Sequence, residues 1–453
     1  MGMLTRIAAA IAFAAFAAPA FASDTARVAE GTLQGATVGA VTSFKNIPFA
    51  APPVGALRWR PPQPARSWAG ARDATRYGPM CMQMHEGPSH GNEHEGHGHG
   101  DVSEDCLQLN VWTPASFKPG QRLPVMVFIH GGSFKTGSGT DPLFDGTHFA
   151  ERGVVLVKVN YRLGRFGFFA HPALSAEQPG QPLANYGMMD ILAALAWVQK
   201  NIPAFGGDPA NVTVFGVSAG AILINDMMAS PKADGLFAKA ISQSGFGGDP
   251  VLAMAGAEKL GLVYAQGLGI AGAGTHALKA LRALSAAELS KPPGRVEPIL
   301  DGAVLPESPM EAFAAGRELK ASYIAGGDSW EASIFPEAHH LDLAGPFREK
   351  LIAAYGEGGD LQKIRWDLVT EFEIIEPNRQ LARLHVRNGH KAWVYYDSYV
   401  PAWRRGAIHG LPHGDELPYV FGALPDTAYQ DGSTTVPAAT PSAPNSSTLS
   451  VAS

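Results

Sequence analysis

The stretch Gly216-Val217-Ser218-Ala219-Gly220 sets a serine between two glycines. A serine hydroxyl attacks a carbonyl carbon only when a base takes its proton and when donors wait for the oxyanion that forms. Glycines at 216 and 220 leave room for a tight strand-to-helix turn that lifts the hydroxyl clear of the chain, the arrangement of a nucleophile elbow. The context agrees, because Val212–Phe215 reads as a strand and Ala221–Met228 as a helix. Ser218 is therefore the candidate nucleophile for acyl transfer, against the plainer reading of a structural glycine-rich turn. A second segment, His130-Gly131-Gly132-Ser133-Phe134, follows another strand-like run and carries small residues where backbone must approach a substrate. The N–H groups of Gly132 and Ser133, with that of Ala219, are the candidate oxyanion hole; a simple β-turn is the alternative.

These segments need elements to hold them. Leu123–Ile129 and Val154–Val159 are short, β-rich apolar runs, and Asn185–Asn201 carries Met188, Ile191, Leu192, Leu195 and Val198 at helical spacing. Ala240-Ile241, Tyr323-Ile324-Ala325 and Trp393–Tyr396 are further strand candidates. Apolar strands alternating with amphipathic helices predict an α/β fold with a mostly parallel central sheet and helices on both faces. Ligands of such sheets sit beyond the C-terminal strand ends, where the glycine-rich segments fall.

Composition bounds the rest. The chain has 453 residues, 46% hydrophobic and 17% charged, with a net charge of −6. A sizeable core follows, and neither wholesale disorder nor a basic field for nucleic acid is expected. Residues 1–22 read as a signal peptide: Arg6, an apolar run from Ile7 to Ala18, and Ala20-Phe21-Ala22 as the cleavage site. A secreted or periplasmic product, with no membrane attachment after cleavage, is expected. Export favours a disulfide between Cys81 and Cys106 over two buried thiols. Five histidines between Met84 and Gly100 could ligate a transition metal, but a glycine-rich loop is not preorganised, so a solvated insertion is the reading and no metal is called. Residues 427–453 are expected to be a disordered tail, since Gly432–Ser453 has no charge and no aromatic residue.

Several blocks together resemble the type B carboxylesterases, the family of bacterial para-nitrobenzyl-type esterases and cholinesterases. They are Asn46–Ala50 with Pro52–Trp59, Ser103–Trp112 around Cys106, Phe205–Pro209 with Asn211–Thr213 leading into the elbow, and Ser242–Gly245. The resemblance spans about Gly31 to Gly422 and places one hydrolase domain at 23–426. It implies an α/β-hydrolase fold, hydrolysis of a small-molecule carboxylic ester without a cofactor, a Cys81–Cys106 disulfide, and an Arg58–Glu104 ion pair. It also implies the other catalytic residues, in the order serine, acid, histidine. The acid is Glu331, in Gly326–Ala332, a segment similar to the family's Gly-x-Asn-x-Asp-Glu-Gly; Asp328 is the competitor within it. The histidine is His413, in His413–Gly422, which resembles His-Gly-x-Glu followed by Val-Phe-Gly; His409 also precedes a glycine. There are departures from the family pattern. Val217 stands where Glu is usual, which argues against choline esters, and Ser133 replaces a third glycine. Trp330 and Ala332 depart in the acid loop, and nothing after Gly422 resembles the family's C-terminal helices. A non-catalytic cholinesterase-like binding module, or a truncated, poorly folding member, is the alternative.

Overall fold

The computed structural model describes residues 24–83, 101–246, 252–291, 294–335, 344–355 and 360–423, and the backbone of 448–451. The expected signal peptide, the histidine-rich segment and most of the expected tail lie outside the described residues.

Ten strands form the main sheet among the described residues. In chain order they are Ala36–Val38 (β1), Val41–Pro48 (β2), Gln108–Pro114 (β3), Leu123–Ile129 (β4) and Val155–Val159 (β5). Gly207–Val217 (β6), Lys239–Gln243 (β7), Ser322–Asp328 (β8), Ala392–Asp397 (β9) and Thr448–Val451 (β10) complete it. Their spatial order is β1-β2-β3-β5-β4-β6-β7-β8-β9-β10. Every pairing from β5 through β9 is parallel, whereas the margins are antiparallel. The sheet is thus parallel where it is central, as the apolar runs predict. Within the expected tail, the backbone of β10 pairs along β9.

Alternate side chains of the central strands serve two cores, because successive residues point to opposite faces. Val125, Val127 and Ile129, with Val212 and Val214, join one core. Helices Tyr186–Asn201 and Ala219–Met228 cover it through Met188, Ile191, Leu195, Leu223, Ile224 and Met227. Phe128, Leu156, Phe215 and Val217 face the other side, packed by Phe144, Leu417 and Phe421. Helices therefore lie on both faces. None of the described helices is long and apolar enough to cross a membrane.

Two ties fix the N-terminal region. Cys81 and Cys106 form a disulfide with Cα atoms 4.9 Å apart. Arg58 meets Glu104 in a two-pronged pair, Nε donating to Oε2 at 2.7 Å and Nη2 to Oε1 at 2.5 Å. Its Nη1 also donates to the carbonyls of Arg282 and Leu284, at 3.1 and 2.8 Å. Two prongs, with two further N–H groups on backbone carbonyls, make this a strong form of ion pair.

Candidate active site

Strands β4, β6 and β8 end at Ile129, Val217 and Asp328, so the three chemically marked segments leave the sheet at the same edge. Ser218 follows β6 directly and caps the helix Ala219–Met228 with φ 54° and ψ −126°. A left-handed φ at a non-glycine residue is strained. It is held because the Ser218 N–H donates to the Gln243 carbonyl at 2.9 Å and the neighbouring glycines pack against backbone. A Cβ at Gly216 would lie 2.4 Å from the Ile129 carbonyl oxygen, and one at Gly220 only 2.1 Å from it. The elbow is therefore pressed onto the end of β4.

The His130–Phe134 segment turns at the same edge. Gly132, Ser133 and Phe134 all have positive φ, at 102°, 53° and 60°. A Cβ on Gly131 would come within 2.9 Å of the Val217 carbonyl oxygen and 3.1 Å of Ser218 Cβ, so this loop closely borders the elbow. Ala219 is the first residue of its helix, and the first N–H groups of a helix have no intrahelical acceptor. His130 Nδ1–H donates to the Gly131 carbonyl at 2.8 Å, and its ring stacks on Tyr161. Burial pushes the His130 imidazole down to about 4, which keeps it neutral near pH 7.

Glu331 and His413 meet. His413 Nδ1 lies 2.5 Å from Glu331 Oε2, while Glu331 Oε1 accepts the Asp328 N–H at 2.7 Å. Both side chains are buried. Gly327 makes room for the acid, since a Cβ there would fall 2.3 Å from Glu331 Oε1. The backbone N–H of His413 donates to Ser333 Oγ at 3.0 Å, fixing the histidine from a second direction. His409 is held elsewhere: its Nε2 lies 2.8 Å from Asp367 Oδ1, and its ring packs on Trp330 and Trp366. Trp330, a departure in the sequence, thus anchors the acid loop through an aromatic cluster.

Ser218, His413, Gly131 and Gly132 line one cleft of about 510 Å³, part of it open to solvent, with Phe144, Val217 and Leu417 among its apolar walls. The sequence reading missed Asp141, which also lines this cleft. Its carbonyl accepts from Lys158 Nζ at 2.7 Å. Lys158 is fully buried, and burial lowers its ammonium to about 7. A lysine inside the otherwise apolar run Val154–Val159 was the available signal. Among the described residues, no group of three or more His, Cys, Asp or Glu side chains is arranged to hold a metal ion.

Residues 22–351 match the carboxylesterase family model. The chain belongs to the carboxylesterase family. With that family comes its chemistry, the hydrolysis of carboxylic esters, and its α/β-hydrolase fold. This carboxylesterase is 37% identical over 432 residues to the fumonisin B1 esterase of Sphingopyxis macrogoltabida, covering 89% of this chain and 76% of that one. It is 34% identical over 421 residues to the para-nitrobenzyl esterase of Bacillus subtilis, covering 87% and 82%. Among solved structures, a PNB esterase superposes with a TM-score of 0.75 at 34% identity, over 88% of this chain and 84% of that one. A Geobacillus stearothermophilus carboxylesterase gives 0.74 at 32% identity, over 88% and 84%.

Proposed function

We propose that the chain hydrolyses esters through an acyl-serine intermediate, with Ser218 as nucleophile, His413 as general base and Glu331 as the orienting acid. The observation that carries the reading is the contact of His413 Nδ1 with buried Glu331 Oε2 on the cleft that Ser218 also lines. A carboxylate on Nδ1–H fixes the tautomer that leaves Nε2 as the proton acceptor, and it stabilises the imidazolium that forms. Ser218 Oγ then attacks the ester carbonyl while His413 takes its proton. The oxyanion is met by the N–H groups of Gly132, Ser133 and Ala219. His413 returns the proton to the departing alkoxide, which leaves as the alcohol. Water, deprotonated in turn by His413, attacks the acyl-serine and releases the carboxylic acid and the free Ser218 hydroxyl. No cofactor enters. Phe144, Val217 and Leu417 on the cleft wall suit an apolar acyl or alcohol moiety.

Export belongs to the same proposal. The n-region, apolar run and Ala-x-Ala site of residues 1–22 support it, and so does the Cys81–Cys106 disulfide, a bond of oxidising compartments.

The test is labelling with a fluorophosphonate, followed by mass mapping and turnover of a chromogenic ester. Ser218 is expected to carry the label, and Ser218→Ala to lose about 10⁶-fold in kcat. A label on another residue, or turnover by Ser218→Ala near that of the unaltered protein, would overturn the reading.

A further inference from the structure

Three carboxyl groups crowd together beside His413: Glu331, Asp328 and Glu416, all buried. Glu331 has a donor on each oxygen. Each of the other two accepts one hydrogen bond from a neighbouring segment. Asp328 Oδ2 accepts the Gly414 N–H at 3.0 Å, and Glu416 Oε1 accepts Gln243 Nε2–H at 3.1 Å. Asp328 Oδ1 and Glu416 Oε2 are buried with no hydrogen-bond partner of good geometry; the two side chains lie close enough to act on each other, and Glu416 is also acted on by its own backbone N–H. Two ionised carboxylates cannot satisfy this arrangement. Each is an acceptor only, and adjacent buried negative charges repel. One proton held between the two side chains supplies the donor that the arrangement lacks.

We propose that Asp328 and Glu416 share a single proton and act as a positioning pair for His413, so that loss of this proton limits the enzyme at alkaline pH. Asp328 lies at the end of β8 and holds the residue immediately after His413. Glu416, three residues beyond His413, is tied to β7 through Gln243. The protonated pair thus clamps the 413–416 turn to two strands of the sheet. It also leaves Glu331 and a single shared charge, rather than three separate carboxylates, near the imidazole. When the proton leaves for solvent, the two oxygens repel and the clamp opens, so the turn that carries His413 is no longer fixed against the sheet.

The surroundings favour the protonated pair. Burial first, then the facing Glu416 and Glu331 charges, hold the Asp328 carboxyl well above its ordinary range. Burial likewise pushes Glu416 up to about 7. The other groups acting on the pair are Asp397 on Asp328, and His413 and Glu331 on Glu416. Tyr395, which also faces the cluster, is kept neutral chiefly by burial. On its own loop, Asp415 is paired with Arg404 at 2.6 Å.

The inference rests on His413 serving Ser218, so the test has two readouts. Asp328→Asn and Glu416→Gln each supply a permanent N–H where the shared proton sits. The first readout is kcat/KM of the full chain on a chromogenic ester from pH 6 to 10, each profile normalised to its own maximum. Both variants are expected to shift the alkaline fall upward by about one pH unit or more. The second readout is the melting temperature at pH 6 and pH 9, which needs no catalysis. A carboxyl pair protonated in the fold and ionised when unfolded loses stability as pH rises from about 4 through its folded value. The drop in melting temperature is therefore expected to shrink in both variants. Alkaline limbs and melting shifts that superpose on those of the unaltered protein would overturn the pair. Failure of both variants to fold would do so too, because each amide supplies the hydrogen bond in question. A shrunken melting shift without fluorophosphonate labelling of Ser218 would keep the shared proton and sink the catalytic reading it serves.

Discussion

The elbow around Ser218 and the loops bearing Glu331 and His413 meet at one cleft, and they are held by different means. The elbow is backbone packed on backbone: Gly216 and Gly220 press against the Ile129 carbonyl, and Ser218 keeps its left-handed φ within a single strand-turn-helix segment. The other half draws on residues 82 positions apart for its central contact and relies on side chains: Glu331, Asp328, Glu416, Ser333 and Gln243. The first half tolerates almost no added atom. The second is also close-packed at Gly327, but it depends in addition on where protons sit.

That contrast can be broken most sharply in the second half. Glu331→Gln keeps the shape of the acid but presents an amide to His413 Nδ1, which favours the wrong tautomer. A loss of about 10⁴-fold in kcat is expected with melting little changed. A variant that keeps kcat within tenfold would show that Glu331 orients nothing. The first half fails in the opposite way. Gly220→Ala would force a methyl to within 2.1 Å of the Ile129 carbonyl oxygen, and a destabilisation of about 3 kcal/mol or more is expected, read from the urea midpoint. A midpoint equal to that of the unaltered protein would mean that the elbow has more room than its backbone indicates.

The same contrast sets what the sequence alone could reveal. The elbow was legible because its requirements are local: a glycine on each side of Ser218, an apolar strand before it and a helix after it. The parallel centre of the sheet was legible for a similar reason, since buried strands write continuous apolar runs. Strand β6 was harder at its start. It begins at Gly207 and shifts register before Val212, through Asp208, Pro209 and Asn211, residues that read as a turn. In the acid half, spacing left Asp328 open beside Glu331 and His409 open beside His413. Only tertiary contacts separate them, turning His409 to Asp367 and Trp366 while His413 meets Glu331. The Asp328–Glu416 contact has no signature in spacing at all, because it joins the end of a strand to a turn 88 residues later.

His409 and His413 carry the central claim, that the side-chain half of the cleft serves Ser218 through one particular histidine. The direct measurement is kcat/KM of His413→Ala and His409→Ala on one chromogenic ester. His413→Ala is expected to lose activity about as completely as Ser218→Ala, about 10⁶-fold in kcat. His409→Ala, which gives up a hydrogen bond to Asp367 away from the cleft, worth about 1 kcal/mol, is expected to lose no more than about fivefold. An inactive His409→Ala beside an active His413→Ala would contradict the account.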